Sequence, residues 1–394
     1  MRVLHTSDWH LGARLKQVER LSDQLRRVEE VLTICDKREV DLLLVAGDVV
    51  DETSPTKMPA LIERLGDLLR PRLERGLVAV FLAGNHDRPW IFPFLQGAGD
   101  LFSGSAESAR LHFSSKPELR IVKARGGERL RLMLLPYPWA WNYSLEAVPG
   151  ATAADRRREM ARAVQGTADG LAAEAASGEK IPTVLVGHLL VTGVESKRHE
   201  LTESEDVPVP RTAIPNYPYA ALGHIHQAMA LGNQSRRYSG SIERMDFGEM
   251  EEEKSVVLVE VGKGDLLPEP EVVPLHPTEL FELNWHPGDS IEEKAATVPE
   301  GAITKLRIHM ERGMSPQAIQ SQAKWLIGPR LLFPPDIVPL GGTTGGHEAG
   351  PALDRLDWQE NVRLWVGERV AEADPLRTQV LNAVEELIAE EAQA

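Results

Sequence analysis

Cysteine is almost absent from this sequence, and long apolar stretches are missing. Cys35 is the single cysteine among 394 residues, so one chain can form no internal disulfide and no zinc site built from several thiolates. No apolar run approaches the ~20 residues that a membrane-spanning helix needs. A cleaved signal peptide would remove the first polar motif, which begins at Asp8. These absences predict a cytoplasmic protein in which Cys35 is a structural thiol.

Positive charge is also scarce and unevenly distributed. The formal net charge is −15, whereas affinity for nucleic acids depends largely on Lys and Arg. Residues 341–394 hold 11 acidic and 4 basic side chains. The difference between these two counts is nearly half of the net negative charge of the chain. Residues 110–131 instead hold seven Lys or Arg against two Glu. This basic segment could follow a phosphate backbone, or it could be the solvated face of a hairpin.

The hydrophobic pattern of the first 260 residues predicts an α/β fold. The chain is 42% apolar and 26% charged, as in globular proteins. Short β-branched or leucine-rich runs alternate with helical segments, which indicates layers of strands and helices. The predicted strands are 3–4, 42–46, 78–82, 183–186, 220–222 and 256–261, the predicted helices are 19–37 and 59–75, and a hairpin is predicted from 119–124 and 130–135.

A second, smaller unit is predicted after the proline-rich stretch 267–277. It comprises a strand at 303–310, a helix to residue 327 with Ser315 as its N-cap, and a strand at 331–338. The sequence therefore predicts domains at 1–265 and 275–340. A glycine-rich linker follows at 341–352, and a helical segment is expected at 353–394.

The C-terminal segment contains an amphipathic helical stripe. Its apolar members are Leu376, Val380, Leu381, Val384, Leu387 and Ile388. Such a stripe must be buried. It could pack on its own domain or bind a partner protein.

Residues that can bind metal ions follow five of the predicted strands. The five clusters are Asp8-Trp9-His10, Gly47-Asp48, Gly84-Asn85-His86-Asp87, Gly187-His188 and Gly223-His224-Ile225-His226. Because ligands bind outside the carboxyl ends of strands in α/β sheets, we expect the clusters to meet in one crevice. A single histidine is more often a satisfied polar group than a ligand, but these clusters use five of the twelve histidines.

The residue types in these clusters suit a pair of divalent ions. Carboxylate, imidazole and amide donors are typical ligands of manganese, iron or zinc. A carboxylate can bridge two ions, and two ions about 3.5–4 Å apart can activate water and neutralise a leaving oxygen. The sequence therefore predicts a site for phosphoester hydrolysis.

The order of these motifs resembles that of the calcineurin-like metallophosphoesterases. Segments 6–12, 46–51, 238–241 and 246–249 resemble more narrowly the SbcD-type nucleases of that family. The resemblance implies a layered α/β metallophosphoesterase sandwich at 1–265 and a small α+β capping domain at 275–340 that binds DNA. It also implies a C-terminal helical region that binds a partner.

The resemblance also implies the role of each site residue. Two divalent ions would be bound, and manganese is the metal expected in this family. Asp8, His10 and His226 would hold one ion, Asn85, His188 and His224 would hold the other, and Asp48 would bridge them. His86 would be a catalytic residue free of metal, and Asp87 would orient a neighbouring group. Archaeal and eukaryotic relatives have a histidine at the position of Asp51. An aspartate cannot offer a phosphate the positive charge that this histidine can carry. Asp51 therefore either faces solvent or orients a ligand.

The family resemblance implies DNA as substrate and two protein partners. An apolar segment could form a homodimer interface or an ordinary core helix, and its candidate residues are Trp90, Ile91, Phe92, Phe94 and Leu95. The C-terminal stripe would bind an SbcC-type, SMC-like ATPase. The implied activity is 3′–5′ double-strand exonuclease and single-strand or hairpin endonuclease action in DNA repair at the nucleoid.

Two other functions remain open at this point. The chain could hydrolyse small phosphoesters or cyclic nucleotides, or it could be a scaffold whose metal only stabilises the fold. The additional domain and C-terminal helix favour the nuclease over the first alternative. His86, which has no purpose in a purely structural metal site, argues against the second.

Overall fold

Two six-stranded sheets organise the part of the chain that the computed structural model describes. The described residues are 1–52, 54–88, 90–102, 109–143, 145, 152–193, 207–262, 269–311 and 314–340. By its internal contacts the chain divides into Met1–Ile308 with Pro316–Ile337, and His309–Ser315 with Val338–Ala394. Among the described residues, no helix combines the length and the apolar character needed to cross a membrane.

The strands and helices are numbered in chain order. The strands are β1 Arg2–Thr6, β2 Arg14–Leu15, β3 Val18–Glu19, β4 Leu42–Val45, β5 Val78–Leu82, β6 Leu111–Ser114, β7 Glu118–Lys123, β8 Arg129–Leu135, β9 Thr183–His188, β10 Leu190–Val191, β11 Pro208–Val209, β12 Ala220–Gly223, β13 Met229–Leu231, β14 Asn233–Tyr238, β15 Ser255–Glu260, β16 Glu271–Pro274, β17 Leu280–Trp285, β18 Ile303–Met310 and β19 Asp336–Pro339. The helices are α1 Leu21–Lys37, α2 Met58–Glu74, α3 Ile91–Phe102, α4 Ala153–Ser177, α5 Ile291–Ala296 and α6 Gln317–Ile327.

Each large sheet has a parallel core; the first has antiparallel strands at the β16 edge only, and the second has them at both edges. The first has the order β16-β15-β1-β4-β5-β6, and β1, β4, β5 and β6 are mutually parallel. The second has the order β13-β14-β12-β9-β8-β7, and β14, β12, β9 and β8 are parallel. The α/β class predicted from the sequence is therefore confirmed.

The two sheets are the inner layers of a sandwich. One face of the first sheet packs on one face of the second, with Val80 and Val186 among the buried contacts. The opposite face of the first sheet is covered by α1 and α2, and that of the second sheet by α4. Continuous apolar strands such as β4 are therefore buried on both faces.

Helix α1 shows why the sequence folds this way locally. Its buried side chains recur at helical spacing, and they are Leu25, Val28, Val31, Leu32 and Cys35. Burial raises the pKa of the Cys35 thiol well above its ordinary value. Cys35 is thus a core residue, as the sequence predicts.

Most of the predicted elements are present. The five apolar runs that precede the candidate metal ligands are all strands, and the strand predicted at 256–261 is β15. The predicted hairpin is formed by β7 and β8. Helix α4 was not predicted, although Thr152 and Asp155 form a capping box and Met160, Val164 and Ala168 are a buried stripe. The edge strand β16 lies within the proline-rich stretch that the sequence predicts to be a boundary.

Two details of the second predicted unit are wrong. Ser315 is not the N-cap of α6, because Pro316 occupies that position and no side chain caps the helix. The strand predicted at 331–338 is reduced to β19, preceded by an isolated bridge between Leu331 and Thr304. Pro334 and Pro335 lack backbone N–H groups and interrupt the strand.

The sheet β17-β18-β19, with α5 and α6, corresponds to the α+β unit predicted at 275–340. Its separation as a capping domain stays a prediction. The predicted linker at 341–352 and the helical region at 353–394, including its apolar stripe, lie outside the described residues.

A fully buried carboxylate links α1 to the chain that leads into β17. Glu243 accepts hydrogen bonds from Arg20 Nη2 at 2.9 Å and from the Thr278 N–H at 2.9 Å. Arg27 Nε lies 3.3 Å from the same carboxylate. Glu243 therefore compensates the charge of Arg20, whose side chain is 1% exposed, and also lies close to Arg27.

Glu243→Gln is expected to destabilise the fold by about 3–5 kcal/mol, because removing one partner leaves a buried charge without compensation. Urea unfolding followed by circular dichroism measures the change. Glu260→Gln is the matched control, since Glu260 pairs with Arg2 on the surface and solvent screens such pairs. Equal unfolding midpoints for the two variants would contradict this account of Glu243.

Candidate metal centre

The loops that follow β1, β4, β5, β9 and β12 meet at one end of the sandwich. The backbone N–H of Asp8 donates to the Gly47 carbonyl at 3.0 Å, and that of His10 donates to the Asp48 carbonyl at 2.9 Å. These bonds join the first two loops. The backbone N–H of His224 lies 3.2 Å from both carboxylate oxygens of Asp8, which joins a loop of the second sheet to the first.

Two glycines allow this close approach. Gly47 has φ +98°, and a Cβ there would lie 2.0 Å from His188 Nδ1. A Cβ on Gly223 would lie 2.0 Å from the Ala46 carbonyl oxygen. Only a residue without a side chain fits at either position. These glycines therefore let the ends of the two sheets meet.

The backbone is strained at several candidate ligands. Positive φ values occur at four of them: 51° at Asp8, 44° at His10, 52° at Asp48 and 99° at His224. Residues other than glycine rarely adopt this backbone region. Such conformations cost free energy and are typical of functional sites. The fold holds these four side chains in place at the expense of local stability.

One group of donors consists of Asp8, His10 and His226. Their ligand atoms all lie within 4.8 Å of one another, and His10 Nε2 lies 3.1 Å from His226 Nε2. Two nitrogens bound to one ion at about 2.1 Å are roughly 3.0–3.4 Å apart. The three residues could therefore hold one divalent ion.

A second group consists of Asn85, His188 and His224. Asn85 Oδ1 lies 3.0 Å from His188 Nε2 and 3.1 Å from His224 Nδ1. His188 Nδ1 donates to the Ala46 carbonyl at 2.8 Å, which orients the ring and leaves Nε2 for the site. Although burial alone would lower it, the neighbouring Asp48 carboxylate raises the pKa of His188 to about 9.

Asp48 lies between the two groups. Its Oδ1 accepts the backbone N–H of His86 at 2.9 Å. Its Oδ2 lies 3.6 Å from His10 Nε2 and 3.4 Å from His188 Nε2. Burial opposes ionisation, but His188 and His10 hold the pKa of Asp48 well below its ordinary value. One carboxylate oxygen thus faces both groups, which is the position of a bridging ligand.

His86 is more exposed than the other histidines of the centre. Its side chain is 44% exposed, and its Nδ1 lies 3.3 Å from Asp51 Oδ1. The hydrogen bond with Asp51 raises the pKa of His86 to about 9. His86 is also close enough to His10 and Asp48 for these three residues to hold an ion. The geometry therefore permits either a ligand role or the metal-free role that the sequence suggests.

Asp51 and Asp87 contact the centre in different ways. Asp51 Oδ2 lies 3.4 Å from His10 Nδ1, so this carboxylate bridges His10 and His86. Of the two roles open from the sequence, this placement favours orienting a ligand. Asp87 is buried and accepts backbone N–H groups from Val50 at 2.9 Å and Gly84 at 2.8 Å. It fastens the loops that carry Asp48 and Asn85.

Glu249 has no role predicted from the sequence, although it lies in a motif that carries the resemblance. Its Oε1 is 3.1 Å from His226 Nδ1, and its Oε2 is 2.7 Å from Lys254 Nζ. Burial would raise the pKa of Glu249, but His226 and Lys254 lower it to about 2. A carboxylate in this position fixes the ring and strengthens the histidine as a ligand.

Three of the seven cations of the basic segment 110–131 are held by contacts within the fold. Arg131 is buried and donates to the Ala175 and Glu179 carbonyls. Arg129 pairs with the Glu179 carboxylate at 2.7 Å, and Arg120 pairs with Glu118 at 2.7 Å. These contacts favour a structural hairpin over a phosphate-binding path.

Glu249→Gln is expected to weaken Mn²⁺ binding by about 10- to 100-fold, because the amide no longer fixes the His226 ring as a charged acceptor does. Calorimetric titration of metal-stripped protein measures the affinity. Glu253→Gln makes the same chemical change at an exposed site four residues away. Equal affinity of the Glu249 variant and wild type would show that His226 needs no such support.

Three comparisons place the chain among known proteins. Residues 1–228 match the family model of the calcineurin-like phosphoesterases. The SbcD subunit of the SbcCD nuclease of Escherichia coli (strain K12) is 28% identical over 277 residues, covering 68% of this chain and 66% of that protein, just under two thirds. Its counterpart in Bacillus subtilis (strain 168) is 27% identical over 326 residues, covering 79% and 78%.

Among solved structures, a dimetal phosphatase from Danio rerio aligns with a TM-score of 0.40 and 10% identity, covering 70% of this chain and 99% of that one. The phosphopantetheinyl hydrolase of Mycobacterium tuberculosis aligns with a TM-score of 0.35 and 16% identity, covering 61% and 88%.

Proposed function

Because the chain belongs to the calcineurin-like phosphoesterase family, we propose that it is a two-metal nuclease that hydrolyses phosphodiester bonds of DNA. The observation that carries the proposal is the position of Asp48 Oδ2 between two groups of donors. The resemblance to relatives named as nuclease subunits supports DNA as the substrate. The proposed action is 3′–5′ exonuclease on duplexes and endonuclease on single strands and hairpins, in DNA repair.

The donor set fits two manganese ions. One would be held by Asp8, His10 and His226 and the other by Asn85, His188 and His224, with Asp48 shared. When bound, two such ions activate a water molecule and neutralise charge on the phosphate. The nitrogen, carboxylate and amide donors fit borderline divalent cations.

The remaining side chains would orient groups and move a proton. Asp51 holds His86 through Nδ1, which leaves Nε2 as the nitrogen available to the substrate. A protonated His86 would stabilise charge on the phosphate oxygens or donate a proton to the leaving oxygen. Glu249 fixes His226, and Asp87 fixes the loops beneath Asp48 and Asn85.

End-labelled duplex DNA with Mn²⁺, assayed beside bis(p-nitrophenyl) phosphate, tests the function. Metal-dependent DNA cleavage is the expected result, and the label gives the polarity. Hydrolysis of the small diester alone would favour the small-phosphoester alternative. Inactivity on both substrates, in protein that holds two metal equivalents, would favour the structural scaffold.

We further propose an SbcC-type, SMC-like ATPase as partner, since the relatives are subunits of a complex. The apolar stripe 376–388 would be the binding element. Deleting residues 352–394 is expected to abolish co-purification with the ATPase and to leave metal-dependent cleavage by the chain intact. Retained co-purification would contradict this assignment.

We propose a homodimer interface that uses only those candidate residues of the apolar segment that are exposed on the surface. Ile91 and Phe92 are each 2% exposed and pack in the chain's own core, whereas Trp90 and Phe94 are 60% and 68% exposed. Trp90 and Phe94 are therefore available to a second copy. Sedimentation equilibrium is expected to give twice the chain mass, and a monomer at micromolar concentration would contradict the proposal.

A further inference from the structure

Three aromatic side chains form a row from the candidate metal centre to the surface. The Tyr137 ring lies 5.7 Å from the His224 ring and 6.2 Å from the His188 ring. Trp139 lies 5.0 Å from Tyr137, and Trp141 lies 4.9 Å from Trp139 with an angle of 10° between the two planes. We call Tyr137, Trp139 and Trp141 the aromatic row.

The backbone holds the aromatic row in place. The row follows β8, and the Tyr137 N–H donates to the Ala83 carbonyl at 3.2 Å, beside the loop that carries Asn85. A short 3₁₀ helix, Ala140–Asn142, carries Trp141. Tyr143 closes the segment by donating its hydroxyl to the Pro136 carbonyl at 2.9 Å. The row is therefore fixed at both ends rather than carried on a free loop.

Exposure rises along the aromatic row. Tyr137 is 6% exposed, Trp139 is half-buried, and Trp141 is 58% exposed. Neither tryptophan belongs to the three core clusters of the two large sheets. The two stacked indoles thus leave aromatic surface open to solvent, while the inner end of the row touches two candidate ligands.

We propose that the aromatic row is a stacking platform for unpaired bases of the DNA strand whose phosphate lies at the metal centre. The inference rests on the proposed nuclease function and narrows its substrate. Every base has a π face, so stacking on indole is tolerant of sequence. The interior of a duplex offers no free base face, because its bases stack on one another. Preferred substrates are therefore single-stranded overhangs, loops and frayed ends.

The position of the row makes a base a better occupant than an apolar protein segment. The row is continuous with the metal centre through Tyr137 and His224. A nucleotide bound by its phosphate at that centre carries its base within reach of these rings. An oligonucleotide can therefore use both the centre and the row at once.

Trp141→Ala, Trp141→Phe and Val272→Ala test the proposal. Val272 is 45% exposed on the edge strand β16 and controls for the loss of an exposed apolar side chain. Fluorescence anisotropy with Ca²⁺ in place of Mn²⁺ measures the affinity for a labelled single-stranded oligothymidylate, independently of cleavage. Steady-state assays with Mn²⁺ then give kcat and KM on a 3′-overhang duplex and on bis(p-nitrophenyl) phosphate.

Trp141→Ala is expected to weaken oligothymidylate binding by roughly tenfold or more, the effect of losing one base–aromatic contact. We expect KM for the overhang duplex to rise and activity on the small diester to stay unchanged. Trp141→Phe should keep most of the affinity, and Val272→Ala should resemble wild type.

Wild-type affinity in Trp141→Ala would overturn the proposal, as would equal losses in Trp141→Phe or Val272→Ala. Loss of activity on the small diester in Trp141→Ala would also overturn it, because it would show a structural role in the centre. If wild type cleaves no DNA, the nuclease function fails by itself, and the binding series still decides whether the row holds bases.

Discussion

Asp48→Asn is expected to lower phosphodiester cleavage by at least about a thousandfold and to reduce bound metal from two equivalents to fewer than one. The physical reason is that Oδ2 faces both His10 and His188. An amide in this position loses the negative charge that would neutralise both ions.

Elemental analysis after dialysis measures the metal content of the Asp48 variant, and the DNA assay measures its activity. Asp41→Asn is the matched control, because Asp41 lies at the opposite end of β4 and accepts the Arg2 N–H at 2.8 Å. The control should keep both ions. Two metal equivalents in Asp48→Asn would show that Asp48 does not bridge.

His86→Ala is expected to keep both ions and to lose about 10²- to 10⁴-fold in DNA cleavage, the usual contribution of a general acid. The loss should be much smaller on bis(p-nitrophenyl) phosphate, because p-nitrophenolate leaves without needing a proton. The comparison of the two substrates therefore separates proton donation from binding of the phosphate.

His276→Ala is the control for His86, since His276 is exposed and contacts Glu30 away from the centre. Its activity should equal that of wild type. Loss of a metal equivalent from His86→Ala would assign His86 as a ligand with His10 and Asp48, which the geometry permits. Equal losses on both substrates would argue for charge stabilisation instead of proton donation.

The sequence was sufficient to predict where the candidate ligands lie along the chain. Asp48 and Asn85 follow short apolar runs that predict buried parallel strands, so their meeting at one end of a sheet was predictable. The hydrophobic pattern, without the family resemblance, did not show that the strands are divided between two sheets. That division depends on the packing of Val80 and Val186 across the sandwich and on the close approach at Gly47 and Gly223.

Contacts between distant side chains were not predictable. Glu249 reaches His226, and Asp51 reaches His86, only because the folded chain brings different loops together. Helix α4 had local signals in its capping box and alanine-rich stripe, but these were overlooked. The residues of the aromatic row stand at alternate positions in the sequence. Their stacking was still not predictable, because the contact of Trp139 with Trp141 depends on a single 3₁₀ turn.

A crystal structure of the chain soaked in Mn²⁺, with anomalous difference maps at the manganese edge, tests the two-metal assignment most directly. We expect two peaks about 3.5–4 Å apart, one beside His10 and His226 and one beside His188 and His224, with the Asp48 carboxylate touching both. A single peak, or two peaks that Asp48 does not join, would contradict the account.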